Sequence, residues 1–274
     1  MLNRIVDGPA SAEADPQAAG RVLVSRRAAL LGGAGLLAAT VAATAGTPAV
    51  AAVPEPVSDL RVSPWERVPG ALKHVSVGYN GSVWGVNDSD YIYRRKGGEW
   101  VREDGRLKQI SVGSGSHIWG VNKDGQIYRR RNNEWQRVAG SLKYVSVGYD
   151  GSVWGVNDDD RIYRWDGDSW VRVAGSLKQV SVSSGSLVWG VNEDDEIYRR
   201  SGGAWQRIPG SLKHVSIAYD GTVWGVNDDD HIYRRVAGTW RRVEGRLAQL
   251  SVRNGGTNPR VWGVNASDQI YRLR

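Results

Sequence analysis

From residue 65 onward the chain carries two tryptophan series that run in step. The first, Trp65, Trp100, Trp135, Trp170, Trp205 and Trp240, keeps a spacing of 35 residues throughout. The second lies inside the tetrapeptide WGVN as Trp84, Trp119, Trp154, Trp189, Trp224 and Trp262, with 35 residues between all but the last pair. A period of this length, repeated six times, requires an architecture in which each copy buries its apolar face against its neighbours.

Within one copy the local signals are strand and turn. In the third copy LKYVSVG (142–148), SVWGVN (152–157), RIYRW (161–165) and SWVRV (169–173) are short β-branched and aromatic runs, separated by Asp-Gly, Asn-Asp-Asp-Asp and Asp-Gly-Asp clusters. No segment keeps apolar residues at i, i+3, i+4 and i+7 over even three turns, so a helical repeat fails. Four short antiparallel strands per copy describe a propeller blade, and the expected fold is an all-β, six-bladed β-propeller. The sixth copy stops after QIYRLR without a fourth strand, whereas PWERVPG (64–70) opens the array as an unmatched fourth strand. The N-terminal strand is therefore expected to complete the last blade and to hide an edge otherwise open to aggregation. An open solenoid is the competing architecture, but it normally needs atypical capping repeats, which this array lacks.

Cysteine is absent, which excludes disulfides and thiolate metal sites. Phenylalanine is also absent, against 13 Trp and 11 Tyr, so the aromatic content follows one copied pattern. Residues 1–51 read as a targeting segment. Ser25-Arg26-Arg27 precedes an Ala/Leu/Gly-rich run over 28–45, and Ala49-Val50-Ala51 supplies an A-x-A cleavage pattern. This resembles a twin-arginine export signal, departing from it at Ala29, where a bulky apolar residue is usual. An uncleaved anchor is the alternative, weakened by Gly32, Gly33 and Gly35. The organisation expected is a signal over 1–51, a linker over 52–63 and a propeller over 64–274, in an exported bacterial protein that meets a membrane only through the signal before cleavage.

The repeated VWGVNxxDxIYRR and W-x-R-V-x-G motifs resemble the tectonin repeat of six-bladed β-propeller lectins over about 210 residues, 65–274. That resemblance implies binding of glycoprotein sugars, methylated glycans or bacterial lipopolysaccharide through several weak sites, and no cofactor.

Several residue series are candidates for such binding. The WGVN tryptophans are expected in the core. The outer series, with Trp100, Trp170 and Trp240 as candidate ligand platforms, has partners that could leave an indole face open. Trp165 replaces an Arg of the repeat in one blade only and is expected to be exposed. The Asn-Asp clusters suit either a hairpin turn or calcium, and the Lys and Gly of Asn122-Lys123-Asp124-Gly125 favour the turn. The arginines after IY (Arg94, Arg129, Arg164, Arg199, Arg234, Arg272), in a chain of net charge +7, suit either phosphate-bearing partners or stacking on Trp and pairing with Asp.

The copies also alternate. Odd copies carry Tyr79-Asn80-Gly81, Tyr149-Asp150-Gly151 and Tyr219-Asp220-Gly221 between the first two strands, and even copies two and four carry Ser-Gly-Ser. His74, Tyr144 and His214 alternate in the same way with Gln109, Gln179 and Gln249, so the true unit is about 70 residues. Asn-Gly and Asp-Gly are ordinary type I′ turns. The functional reading is three equivalent pockets, each with a Tyr ring as platform and Asn80, Asp150 or Asp220 accepting from sugar hydroxyls. Connectivity puts these turns on one rim of the ring and the Asn-Asp turns on the other.

Catalysis needs unlike groups converging at one place, and the four histidines fall at unrelated repeat positions, so an enzyme and a metal site are both disfavoured. Nucleic acid is disfavoured by export and by the lack of an aromatic-basic groove motif. A non-catalytic lectin-like protein is the favoured reading, and a protein-interaction or cell-wall scaffold propeller is the alternative.

Overall fold

A computed structural model describes residues 63–253 and 260–274. The expected signal, nearly all of the linker and residues 254–259 of the last copy lie outside these, and all described residues belong to a compact unit spanning Ser58–Arg274. They form twenty-four strands, β1 to β24 in chain order, and no helix. After β1 (Trp65–Ala71), the first blade is β2 (His74–Val77), β3 (Val83–Val86), β4 (Tyr91–Lys96) and β5 (Glu99–Arg106), hydrogen-bonded in that order. Four more blades repeat it. The sixth consists of β22 (Gln249–Val252), β23 (Val261–Val264) and β24 (Gln269–Leu273), with β1 antiparallel to β24 from Trp65↔Leu273 to Val68↔Ile270. The fold is the six-bladed propeller that the period predicts.

The core is divided into six seams, each between one blade and the next. In one seam Trp84, Val86 and Ile92 of the first blade pack on Leu107, Ile110, Val112 and Ile118 of the second. This is why the second strand of a blade, VWGV in most copies, is buried along its whole length: both of its faces meet a neighbour. The glycine of that strand is obligatory for close approach. A Cβ on Gly85 would stand 2.5 Å from Leu72 Cδ1 and 2.8 Å from the His74 carbonyl oxygen.

Two rings of hydrogen bonds join the blades. Near the axis, the hydroxyls of Ser76, Ser111, Ser146, Ser181, Ser216 and Ser251 each accept the N–H of an inner-strand residue in the next blade, at 3.0 to 3.1 Å. At the perimeter, a bulge in each outer strand turns one carbonyl toward the following blade, where the outer indole N–H donates to it. The pairs are Trp65 to Glu244, Trp100 to Pro69, Trp135 to Asp104, Trp170 to Ala139, Trp205 to Ala174 and Trp240 to Pro209, at 2.7 to 3.1 Å. The glycine after that carbonyl, Gly70 in the first instance, takes a positive φ of 116° and lies under the indole.

Both rings run unbroken across the junction between β1 and the last blade. Trp65→Ala and, within the array, Trp205→Ala are therefore both expected to lower unfolding free energy by about 3–5 kcal/mol. Chemical denaturation of the two variants checks this; near-neutrality of Trp65→Ala alone would mean that the ring is not closed in solution.

Candidate functional site

The three tyrosines of the odd copies converge on the propeller axis. Each stands just beyond an inner strand, and its backbone N–H donates to a carbonyl of the following even blade: Tyr79 to Gly113, Tyr149 to Ser183 and Tyr219 to Arg253. Ring centroids are 4.8 Å apart for Tyr79–Tyr219, 5.8 Å for Tyr79–Tyr149 and 6.1 Å for Tyr149–Tyr219, in tilted or edge-to-face contact. The rings remain 45%, 44% and 43% exposed. The structure thus replaces three separate pockets with one aromatic cluster capping the channel mouth. The alternation has a steric cause: rings already touching leave no room at the axis for three more, so the even copies carry serine at Ser114 and Ser184.

Asn80, Asp150 and Asp220 surround this cluster, with oxygens committed largely to their own turns. Asn80 Oδ1 accepts from the Ser82 N–H and hydroxyl, and Asp220 Oδ1 accepts from the Thr222 N–H. Asp150 Oδ1 accepts from the Ser152 N–H and hydroxyl, and Oδ2 from the Gly185 N–H of the next blade. Partial burial would raise the Asp150 pKa, but these bonds from Ser152 and Gly185 outweigh it and hold the carboxyl below its ordinary range.

Trp100, Trp170 and Trp240 are not brought to the tyrosines. Their indole N–H groups serve the perimeter ring, and their faces are partly covered: Arg95 lies 5.1 Å from the Trp100 centroid, Arg235 lies 5.5 Å from that of Trp240, and Trp165 lies 5.2 Å from that of Trp170. Trp165 corrects an expectation. It is half-buried, wedged between Trp170 and Trp119 of the preceding blade, where Arg95, Arg130, Arg200 and Arg235 fill the corresponding wedge. The indole substitutes for a guanidinium between two aromatic rings, a place that either group fills. Of the arginines after IY, Arg94 and Arg234 lie over Trp84 and Trp224, and Arg272 forms a forked pair with Glu66.

The Asn-Asp turns occupy the opposite rim. Asn87, Asn122, Asn157, Asn192, Asn227 and Asn265 each accept, through Oδ1, the N–H four residues on. The closing Asp of four turns pairs with a lysine: Asp90 with Lys73, Asp160 with Lys143, Asp195 with Lys178 and Asp230 with Lys213. Turn closure thus accounts for the clusters.

One feature escaped the sequence reading. Inside the channel, Gln109, Gln179 and Gln249 reach across to the next blade, donating to the carbonyl and accepting the N–H of Val145, Val215 and Val75. His214 Nε2 donates to the Leu250 carbonyl at 2.9 Å, whereas both ring nitrogens of His74 are buried without a hydrogen-bond partner. Burial, reinforced by His214 and Lys73, holds His74 down to about 3. Burial also lowers His214 to about 4, against the pull of its Leu250 bond. Tyr144 is pushed up to about 12 by burial, opposed by hydrogen bonds with Gln179 and Gln109. The alternation of His and Tyr with Gln was legible in the sequence, but the missing partner at His74 was not.

These features define a six-bladed β-propeller assembled from one tandem repeat, with a single aromatic cluster exposed at its axis. The chain belongs to the tectonin domain family, whose model matches residues 39–134, 122–204 and 185–274. No curated protein sequence matches the chain significantly. Among solved structures, YCF48 from Cyanidioschyzon merolae is similar with a TM-score of 0.53 at 15% identity, covering 77% of this chain and 98% of its own. A structure described as YCF48 bound to D1 peptide gives 0.51 at 17%, covering 78% and 84%. The WD40 β-propeller domain of Doa1 gives 0.54 at 9%, covering 76% and 95%. At these identities the likeness is one of fold.

The buried histidines set a pH dependence. Both are depressed from 6.5 in the folded state, so the unfolded chain binds more protons below that pH. Stability is present above 6.5 and is lost as pH falls toward 4, at about 1.4 kcal/mol per pH unit for each histidine. His74→Gln, the residue of the even blades, is expected to halve the histidine contribution to that slope. Urea denaturation of both proteins at stepped pH tests this, and equal slopes would refute it.

Proposed function

We propose that this protein is a non-catalytic, exported carbohydrate-binding propeller whose ligand rests on the axial tyrosine cluster. The observation that carries the reading is the exposure, at one point, of three mutually packed tyrosine rings. Such rings offer apolar C–H platforms and phenolic hydroxyls together, the combination that a sugar ring with one apolar face and a hydroxyl fringe requires. The polar turns that carry Asn80, Asp150 and Asp220 follow the tyrosines directly in the chain. A perimeter taken up by blade packing supports one axial site over a set of inter-blade sites, and methylated glycans or lipopolysaccharide are its candidate ligands. The export signal read over 1–51 supports a cell-surface or extracellular target.

A second reading, a protein-interaction or wall scaffold, draws support from the peptide-bound YCF48 ring of similar fold. Titration of the protein with hits from a glycan array, methylated sugars and lipopolysaccharide included, separates the two. One site per chain is expected, with Tyr149→Ala weakening binding roughly 2- to 10-fold and the triple Tyr79, Tyr149, Tyr219→Ala variant abolishing it while still folded. A protein that binds no glycan supports the scaffold reading.

A further inference from the structure

Next to the tyrosine cluster the pseudo-symmetry of the ring is broken by one residue. The position that closes each inner strand is Gly78, Gly113, Gly148, Ser183 and Ala218 in five blades, and Arg253 in the sixth. Arg253 lines the same axial mouth as Tyr79, Tyr149 and Tyr219. Its side chain lies across the Gly81 turn of the first blade, with one terminal nitrogen 3.1 Å from where a Cβ on Gly81 would stand. Arg260 comes to 3.7 Å of the same point, so the two guanidinium groups share one sector of the rim.

Among the described residues no carboxylate pairs with Arg253, and its Nε is buried without a hydrogen-bond partner. The turn beneath it is also the one odd-copy turn of the three that carries Asn80 where the others carry Asp150 and Asp220. In the corresponding sectors no arginine among the described residues lies over the glycine of the turn: Leu187 approaches Gly221, and His117 approaches Gly151. A guanidinium held beside an aromatic platform and partly withdrawn from water is stabilised when an anion reaches it.

We infer that the axial face recognises a sugar residue bearing an acidic group, with the tyrosine rings under the pyranose and Arg253 on the anion. This rests on the carbohydrate reading above and adds a charge requirement to it. Uronate carboxylates and sugar phosphates share the chemistry.

Arg253→Ser tests the assignment and keeps the fold. Serine is the residue of the fourth blade, where Ser183 accepts the Tyr149 N–H as Arg253 accepts that of Tyr219, in both cases through the backbone carbonyl. The probes for the full-length chain are oligogalacturonate against its methyl ester, a mannose 6-phosphate conjugate against plain mannose, and polyglutamate. Wild type is expected to prefer at least one acidic sugar over its neutral counterpart by about 10- to 100-fold, the scale of one charge-assisted hydrogen bond. Arg253→Ser should erase that preference and leave neutral-sugar binding intact; the pair that responds tells carboxylate from phosphate.

A preference that persists in Arg253→Ser would reflect the basic perimeter and would overturn the inference. So would equal binding of acidic and neutral sugars that is lost in Tyr149→Ala, an outcome that leaves the carbohydrate reading standing. Polyglutamate bound as tightly, with the same Arg253 dependence, would make the site one for acidic protein segments. Absence of all glycan binding would remove the carbohydrate reading and the inference together.

Discussion

The free backbone of the inner strand is the constraint on which the rest of this ring depends. A four-stranded blade leaves the N–H and C=O groups along its inner edge without a strand partner, close to an axis where six such edges meet. The chain answers with side chains from the preceding blade. A serine hydroxyl takes one N–H in every blade, and a glutamine amide takes both groups of one residue in alternate blades. Because each cap belongs to the neighbour, satisfying the edge and fixing the angle between blades are a single event. The indole N–H at the perimeter does the same at the opposite end of the sheet, with a bulged carbonyl as acceptor. Inner and outer contacts together hold a blade at both edges, and the buried VWGV strand fills the seam between them.

Much of this was legible in the sequence. The period dictated strand, turn and blade count, and the assignment of Asn-Gly and Asp-Gly turns to one rim and Asn-Asp turns to the other followed from connectivity alone. Radial position was not legible. A period says that Tyr79, Tyr149 and Tyr219 are equivalent, but equivalent residues can lie far apart at the perimeter or in contact at the axis. Only the curvature of the closed ring decides that they touch. Trp165 illustrates another limit: departure from a consensus suggested exposure, yet the site is a slot between two indoles that accepts any flat cation or ring. Arg253 was within reach of the sequence, since aligning the six copies shows one arginine in a column of glycine, serine and alanine.

Alternation and asymmetry therefore have different origins. The alternation of tyrosine with serine on the rim, and of histidine or tyrosine with glutamine in the channel, reflects how many large groups an axis can hold. The departures at Arg253 and Asn80 answer no such packing demand, and they coincide at one sector of the only large aromatic cluster exposed among the described residues. On the binding reading proposed above, a ring built by copying would present a nearly symmetric floor on which a local difference in charge sets the orientation of a ligand.

Closure through β1 also bears on how the molecule comes apart. In an open array the terminal units fray first, because each has a single neighbour, and stability grades from the ends inward. Here the first and last strands of the array share a blade, with Glu66 and Arg272 bonded across a separation of 206 residues. Every blade thus has two neighbours, and removing one opens two seams at once. The ring offers unfolding no terminal blade held on one side only, and detaching any blade costs two seams where an open array would lose one.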